Sequence, residues 1–433
     1  MRYEHSLLLP VLLMAFLGAC KKDEVNEAPH VTITSPYEGS SLSVPDTLLV
    51  TVEARDDYGL EQISVTLLDQ NNIPVVNGVG TSASGTSTTV TLALPIISEH
   101  LVSGDYKILA TATDGELSGK DVRTLHVSAV PLRLRAVFTL AVPGSGTVVL
   151  YKTDSTGQTA LAATWPMDLG GAAISPAVQL LYVAGGATGD MRALAPDDLN
   201  PVWERPNLSA IGEPWFTSVD LCADGRLYIG EGDGTLRSFT ANNGTGMATG
   251  ILPDQFRSQQ AITSGDFLVC TERHFVSQEE RIGIYFPSSG VLAETQPLDL
   301  APIRIFTRDA DHILIFGNRD GQGHVQDRSL SGGGGWEPYS WSSPITAVEQ
   351  VAAGTWLVAL ANGDLQRFTY ANAGSLSLGT TPVLNTLAFD EVNGWVYGGA
   401  DGQVILIDPG TGSMTSNTAV NGSVRYVLPL YNR

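Results

Sequence analysis

Catalysis needs reactive groups at fixed spacings, and this chain offers few of them. The seven histidines, among them His274, His312 and His324, show neither the His-x-His nor the His-Glu-x-x-His spacing that sets two imidazoles on one zinc ion. Cys222 and Cys270 are the only cysteines besides Cys20 and are not adjacent; they read as small core residues, with a disulfide between them left open. Asp220 and Glu213 could form the carboxylate pair of a lactonase or glycosidase, yet isolated acids on β-loops are too common to identify one. No catalytic residue is assigned on this basis. A second set suits binding: Trp215, Gln260, Arg304, Asn385 and Arg425 combine an aromatic ring, two amides and two cations, groups that hydrogen-bond a sugar or a peptide. The stretch Gly332-Gly333-Gly334-Gly335-Trp336-Glu337-Pro338-Tyr339-Ser340-Trp341 adds a glycine loop and three rings. Trp336 and Trp341 could stack on a sugar or a partner side chain, or could pack neighbouring units of the fold.

The elements that must position these residues follow from composition and periodicity. The chain has 433 residues, with Gly 46, Pro 23, 43% hydrophobic and 16% charged residues. These values describe a turn-rich globular protein of two or three domains and exclude a mainly disordered chain. Lys+Arg 24 against Asp+Glu 45 leaves a net charge of −21, a field that repels phosphate backbones. Nucleic acid is excluded as an expected partner.

An apolar run from Leu7 to Phe16 is too short to span a bilayer and reads as the core of a signal peptide. It ends in Leu17-Gly18-Ala19-Cys20, which resembles the lipobox of bacterial lipoproteins. The resemblance implies cleavage after residue 19, a lipidated Cys20 and a tether over residues 20–28. The following Lys21-Lys22-Asp23-Glu24 resembles the lysine-plus-acidic tag that directs some lipoproteins to the outer face of the outer membrane, and it also fits a plain solvated charge run. The expected location is therefore an outer-membrane lipoprotein, surface-exposed or, alternatively, facing the periplasm. Several acyl chains would hold the membrane firmly where one chain is marginal.

Residues 29–130 read as short alternating strands: Val31 to Thr34, Thr47 to Val52, Ile63 to Leu68, Thr88 to Leu94, Tyr106 to Thr113 and Val122 to Val127. The pieces Thr34-Ser35-Pro36-Tyr37-Glu38-Gly39, Ala54-Arg55-Asp56-Asp57-Tyr58-Gly59 and Ala110-Thr111-Ala112-Thr113-Asp114-Gly115 resemble bacterial immunoglobulin-like and cadherin-like modules. That resemblance implies a β-sandwich. It also implies calcium on Asp56, Asp57 and Asp114, although Asp in such turns equally serves the local backbone.

From residue 131 the sequence repeats. Leu140-Ala141-Val142, Leu181-Tyr182-Val183, Leu227-Tyr228-Ile229, Leu268-Val269-Cys270, Leu314-Ile315-Phe316, Leu357-Val358-Ala359 and Val396-Tyr397-Gly398 have middle residues 41, 46, 41, 46, 43 and 39 apart. Tight turns such as Gly232-Asp233-Gly234, Arg319-Asp320-Gly321, Asn362-Gly363-Asp364 and Asp401-Gly402 follow these strands. The repeat has the period of a propeller blade. Asp154-Ser155-Thr156-Gly157 and Asp408-Pro409-Gly410-Thr411-Gly412 resemble the pyrroloquinoline-quinone-type and surface-layer-type propeller repeats. Residues 131–433 are thus expected to form a seven-bladed β-propeller, with Val424-Arg425-Tyr426-Val427-Leu428 closing the first blade. Such a ring would carry Glu231, Asp233, Glu272, Asp320, Asp364 and Asp401 on one loop face, with Trp215, Gln260, Arg304, Asn385 and Arg425 at the entrance of its central funnel.

The fold class expected is all-β, a sandwich followed by a propeller. The function expected is binding or scaffolding in the cell envelope, with a glycan or an envelope protein as partner and no cofactor beyond calcium. A hydrolase, a lactonase or a quinone-linked oxidoreductase using the funnel is one rival. A periplasmic scaffold for outer-membrane protein assembly is the other.

Overall fold

The computed structural model describes residues 26–209 and 212–433, so the signal peptide, Cys20 and most of the tether lie outside the described residues. The chain divides into two compact units, one ending at Pro131 and one beginning at Leu132.

The first unit has two sheets. Strands His30–Ser35, Asp46–Arg55 and Ser87–Ile96 form one; Ser40–Ser43, Ser118–Ser128, Gly104–Thr113, Gln62–Leu68 and Val79–Ser82 form the other. Alternation decides what each buries. Along Asp46–Arg55 the side chains of Leu48, Val50, Val52 and Ala54 are buried while Leu49, Glu53 and Arg55 are exposed. Ile63, Val65 and Leu67, with Tyr106, Ile108, Ala110 and Ala112 beside them, complete one apolar cluster. Ser40–Ser43 and Val79–Ser82 escape the hydrophobic pattern because they are short, polar strands at sheet edges.

The second unit consists of four-stranded antiparallel meanders following one another in sequence. One contains Gly171–Ser175, Leu180–Ala184, Met191–Leu194 and Pro201–Arg205; the next contains Phe216–Leu221, Arg226–Glu231, Thr235–Thr240 and Gly246–Ile251. Three more open with Phe256–Ser264, Ala301–Thr307 and Ile345–Ala352. The last sheet has six strands, in the order Thr159–Trp165, Thr147–Asp154, Leu134–Gly144, Met414–Tyr431, Trp395–Ile407, Leu384–Asp390. Its two long strands each serve two partners. Trp395 to Ala400 pairs with Leu384–Asp390, whereas Gln403 to Ile407 pairs with Met414 to Ala419. Ser423 to Tyr431 then pairs with Leu134–Gly144, so the chain's end completes the sheet begun at its start.

Each sheet's first strand neighbours the first strand of the next sheet, and this succession returns from Met414–Tyr431 to Gly171–Ser175. The sheets therefore form a closed ring. Every repeat strand read from the sequence falls on a strand next to a first strand, and apolar side chains fill the layers between sheets. The densest layer joins Phe306, Phe316, Trp341, Trp356 and Phe368, with ring centroids 5.8 to 6.4 Å apart in most pairs. The tight turns need left-handed backbone: Asp320 and Gly321 have φ of 52° and 76°.

Ending the chain at Gly422 removes the strand that covers Leu134–Gly144 and exposes an apolar β edge. The truncated protein should aggregate and lose its cooperative thermal transition, as read by calorimetry and light scattering. A monodisperse product with an unchanged melting temperature would refute the closure.

Candidate functional site

The first strands of the ring are edge strands, with one side of each backbone facing the centre. Buried N–H groups there require acceptors. Neighbouring side chains supply them: Asp220 Oδ2 accepts from Ala261 N at 3.0 Å, and Gln260 Oε1 accepts from Ile305 N at 3.0 Å. Across the same layer Ser218 Oγ and Ser258 Oγ lie 3.0 Å apart.

These strands enclose a central cavity of about 590 Å³, walled among others by Asp220, Gln260, Arg304, Gln350 and Tyr426. Its polar groups interact. Burial pushes the Asp220 carboxyl up to about 7, against the opposing pull of the Ala261 N–H, the Arg304 charge and the Ser218 hydroxyl. Burial likewise raises Glu349, which Arg304 partly offsets. Tyr426 is raised by burial and by Asp220. The Arg304 guanidinium lies 5.9 Å from the Phe306 ring and forms no hydrogen bond or ion pair among the described residues.

The residues expected at the funnel entrance thus separate. Gln260 and Arg304 sit within the cavity wall, the former with its carbonyl committed to Ile305. Trp215 is half-buried before strand Phe216–Leu221, its N–H donating to Gly186 O at 2.9 Å. Asn385 Nδ2 donates to Asp401 Oδ1 at 3.0 Å and Ser423 Oγ at 3.1 Å, tying the joint of the six-stranded sheet. Arg425 is exposed beside Asp401 and is not part of the cavity wall.

A one-residue register shift recurs near the start of the inner strands, at Phe216/Ser218, Ser258/Gln260, Pro302/Arg304, Ile345/Ala347, Leu384/Thr386 and Val424/Tyr426. The shifts do not decide which residues wall the cavity: the inserted Gln259 and Ile303 belong to the wall, whereas the inserted Asn385 and Arg425 do not. Gln350 and Tyr426 wall the cavity and were not among the site residues expected from the sequence.

Other expectations need correction. Glu231 and Glu272, read as loop-face acids, are only 1% and 0% exposed. They accept from Arg237 Nε at 2.7 Å and Arg281 Nε at 2.6 Å, pairs that support the layers between sheets. Trp341 is 5% exposed, its ring against Tyr339, Phe316 and Phe368, so core packing removes it from any ligand surface. Trp336 is 54% exposed, with its N–H on Asp327 Oδ2 at 3.3 Å, but it begins a fourth strand and so lies at the end opposite the Asp320 hairpin. Cys222 and Cys270 are both free and buried. Glu213 meets Arg257 at 3.4 Å and, unlike Asp220, does not wall the cavity.

In the first unit, Asp56 Oδ2 accepts from Tyr58 N and Gly59 N at 2.9 and 2.7 Å. Asp114 Oδ1 accepts from Glu116 N and Leu117 N at 2.7 and 2.6 Å, bonds that hold its carboxyl below the ordinary range. Asp57 is exposed, and no group of three His, Cys, Asp or Glu among the described residues could share a metal ion. The set Asp56, Asp57 and Asp114 is therefore not assembled as a three-carboxylate centre. Asp56 Oδ1, Asp114 Oδ2 and Asn26 Oδ1 are nevertheless buried without a hydrogen-bond partner. The Glu61 N–H bonds Thr113 O at 2.8 Å, which holds the segment after Asp56 beside the end of the Asp114 strand.

The closed ring of antiparallel meanders around a polar channel defines a β-propeller. No family model matches the chain, and no curated protein does. Among solved structures, the WD40 β-propeller domain of Doa1 is similar at 12% identity and TM-score 0.47, over 61% of this chain and 85% of that one. BamB from Moraxella catarrhalis is similar at 17% identity and TM-score 0.39, over 57% and 74%. A chain of the mitotic checkpoint complex is similar at 12% identity and TM-score 0.48, over 60% and 82%. At these values the propeller assignment rests on the strand pairing of this chain.

The raised Asp220 carboxyl makes stability pH-dependent. Between its ordinary pKa near 4 and about 7 the folded protein holds a proton that the unfolded chain has released, so stability falls as pH rises through that window. Asp220→Asn keeps an acceptor for Ala261 N and removes the titration. Its melting temperature should exceed the parent's by roughly 2–4 °C at pH 8 and match it near pH 4; equal profiles for the two proteins would contradict the burial of this carboxyl.

Proposed function

We propose that this protein is a lipid-anchored, non-catalytic binding or scaffold protein of the cell envelope. In this reading Cys20 carries the lipid, residues 29–130 form an immunoglobulin-like sandwich, and residues 131–433 form a propeller. The propeller has seven blades once the six-stranded sheet is divided where Asp401 meets Ser423. Its partner, a glycan or an envelope protein, docks at the face carrying the loops that enter the inner strands. The observation that carries the reading is the polar channel, walled from several inner strands. Half-buried Trp215 and the exposed Arg425 lie on the adjoining segments. The hydrolase reading has no assembled carboxylate pair to favour it, since Glu213 and Asp220 have different surroundings.

Calcium is proposed for the first unit, held by the unpartnered oxygens of Asp56, Asp114 and Asn26. Oxygen-only ligands of this kind suit a hard cation.

Each of these proposals has its own test. Immobilised protein should capture an envelope glycan or protein, with capture reduced about tenfold by Trp215→Ala or Arg425→Ala; capture that neither change affects would overturn the docking face. Protease applied to intact cells should cut a surface-exposed propeller, whereas full protection would place it in the periplasm, and Cys20→Ser should release the protein from membranes in either case. Calcium should raise the melting temperature of the parent but not of Asp114→Asn, and no shift with the parent would remove calcium from the account.

A further inference from the structure

The channel contains a cation that the protein itself leaves unpaired. Arg304 stands in the cavity wall, exposed to its space, without a hydrogen bond or ion pair among the described residues, whereas the partly buried Arg281 and Arg308 are matched by Glu272 and Asp327. The Asp220 carboxyl belongs to the same wall, two inner strands before Arg304, and lies within electrostatic reach of it. Neutral polar groups complete the wall: the Gln350 amide, the Tyr426 phenol, and the Gln260 side-chain amide, whose NH₂ remains available because only its carbonyl is used by Ile305.

We propose that the cavity binds a small zwitterion of the amino-acid or dipeptide kind, its carboxylate on Arg304 and its ammonium on Asp220. Size permits this, since about 590 Å³ falls within the usual range of small-molecule sites. Charge selects it. A purely anionic ligand would pair with Arg304 but face the Asp220 carboxyl, and a purely cationic ligand would satisfy Asp220 but leave Arg304 unpaired and repelling it. A zwitterion matches both, and the enclosure strengthens each pairing relative to water. The planar guanidinium adds a two-pronged fit to a carboxylate that an ammonium side chain would not provide. This site lies inside the ring and goes beyond the docking of a macromolecule at its face, so either can exist without the other.

The test is calorimetric titration of the 433-residue protein with the twenty standard amino acids and L-alanyl-L-alanine, beside N-acetyl-L-alanine as the anion alone and L-alaninamide as the cation alone. At least one zwitterion should bind with Kd below about 1 mM, and both single-charge compounds should bind at least about tenfold more weakly. Arg304→Gln should weaken that zwitterion by about tenfold or more, Arg304→Lys should weaken it less, and Asp220→Asn should weaken it while leaving the melting curve cooperative. No binding by any zwitterion up to about 10 mM would overturn the proposal. So would equal binding of N-acetyl-L-alanine, or unchanged affinity in both Arg304 variants. Should Arg304→Gln fail to fold, the Lys variant carries the same decision. Capture of a macromolecule is read separately, so failure of the docking reading would leave this result interpretable, and the reverse.

Discussion

The unpaired inner edge of each sheet is the constraint on which the second unit depends. A four-stranded meander leaves two edges open, and in a ring one of these faces the centre, where no further strand pairs with it. The protein answers with side-chain acceptors passed from one sheet to the next, Asp220 to Ala261 and Gln260 to Ile305. Polar residues at those positions are therefore structural before they are anything else. Their presence is also what makes the channel polar, so the device that closes the ring creates the chemistry of its centre.

The same economy governs the outer layers. Glu231 and Glu272 sit at the ends of second strands, where the turn pattern alone marks them as solvent-facing, yet each is buried against arginine. For Glu272, burial outweighs the help of Tyr285 and Arg281 and keeps its carboxyl above the ordinary range. A buried pair of this kind adds little net stability while making loss of either partner costly, by about 3–5 kcal/mol. The aromatic layer around Trp356 works differently, through area and shape, and it absorbs Trp341 entirely.

The centre of the ring connects fold and site. Its wall takes runs of consecutive residues from the inner strands, Ser218 to Leu221 and Ile303 to Thr307 among them, so alternation along a strand does not identify the wall residues. Tyr426 belongs to the wall while Arg425 remains outside beside Asp401. Asp220 and Arg304 reach it from different sheets, and their meeting has no local signature in the chain.

Periodicity and turn chemistry were legible in the sequence because they are local. Alternating apolar residues, Gly at left-handed turn positions and a repeat near forty residues each report on a few neighbouring positions, and the strands they mark are present in the structure, from Val31 to Val396. The strands hidden from that reading, Ser40–Ser43 and Val79–Ser82, lack an apolar face because they lie at edges. What tertiary structure alone decided is which polar residues are spent on the protein's own backbone and which remain free. Gln260 is committed to the next sheet and Asn385, Glu231 and Glu272 to neighbouring strands of their own sheets, whereas Arg304 has no such partner among the described residues, because these pairings are settled only once the strands are aligned and the ring is closed.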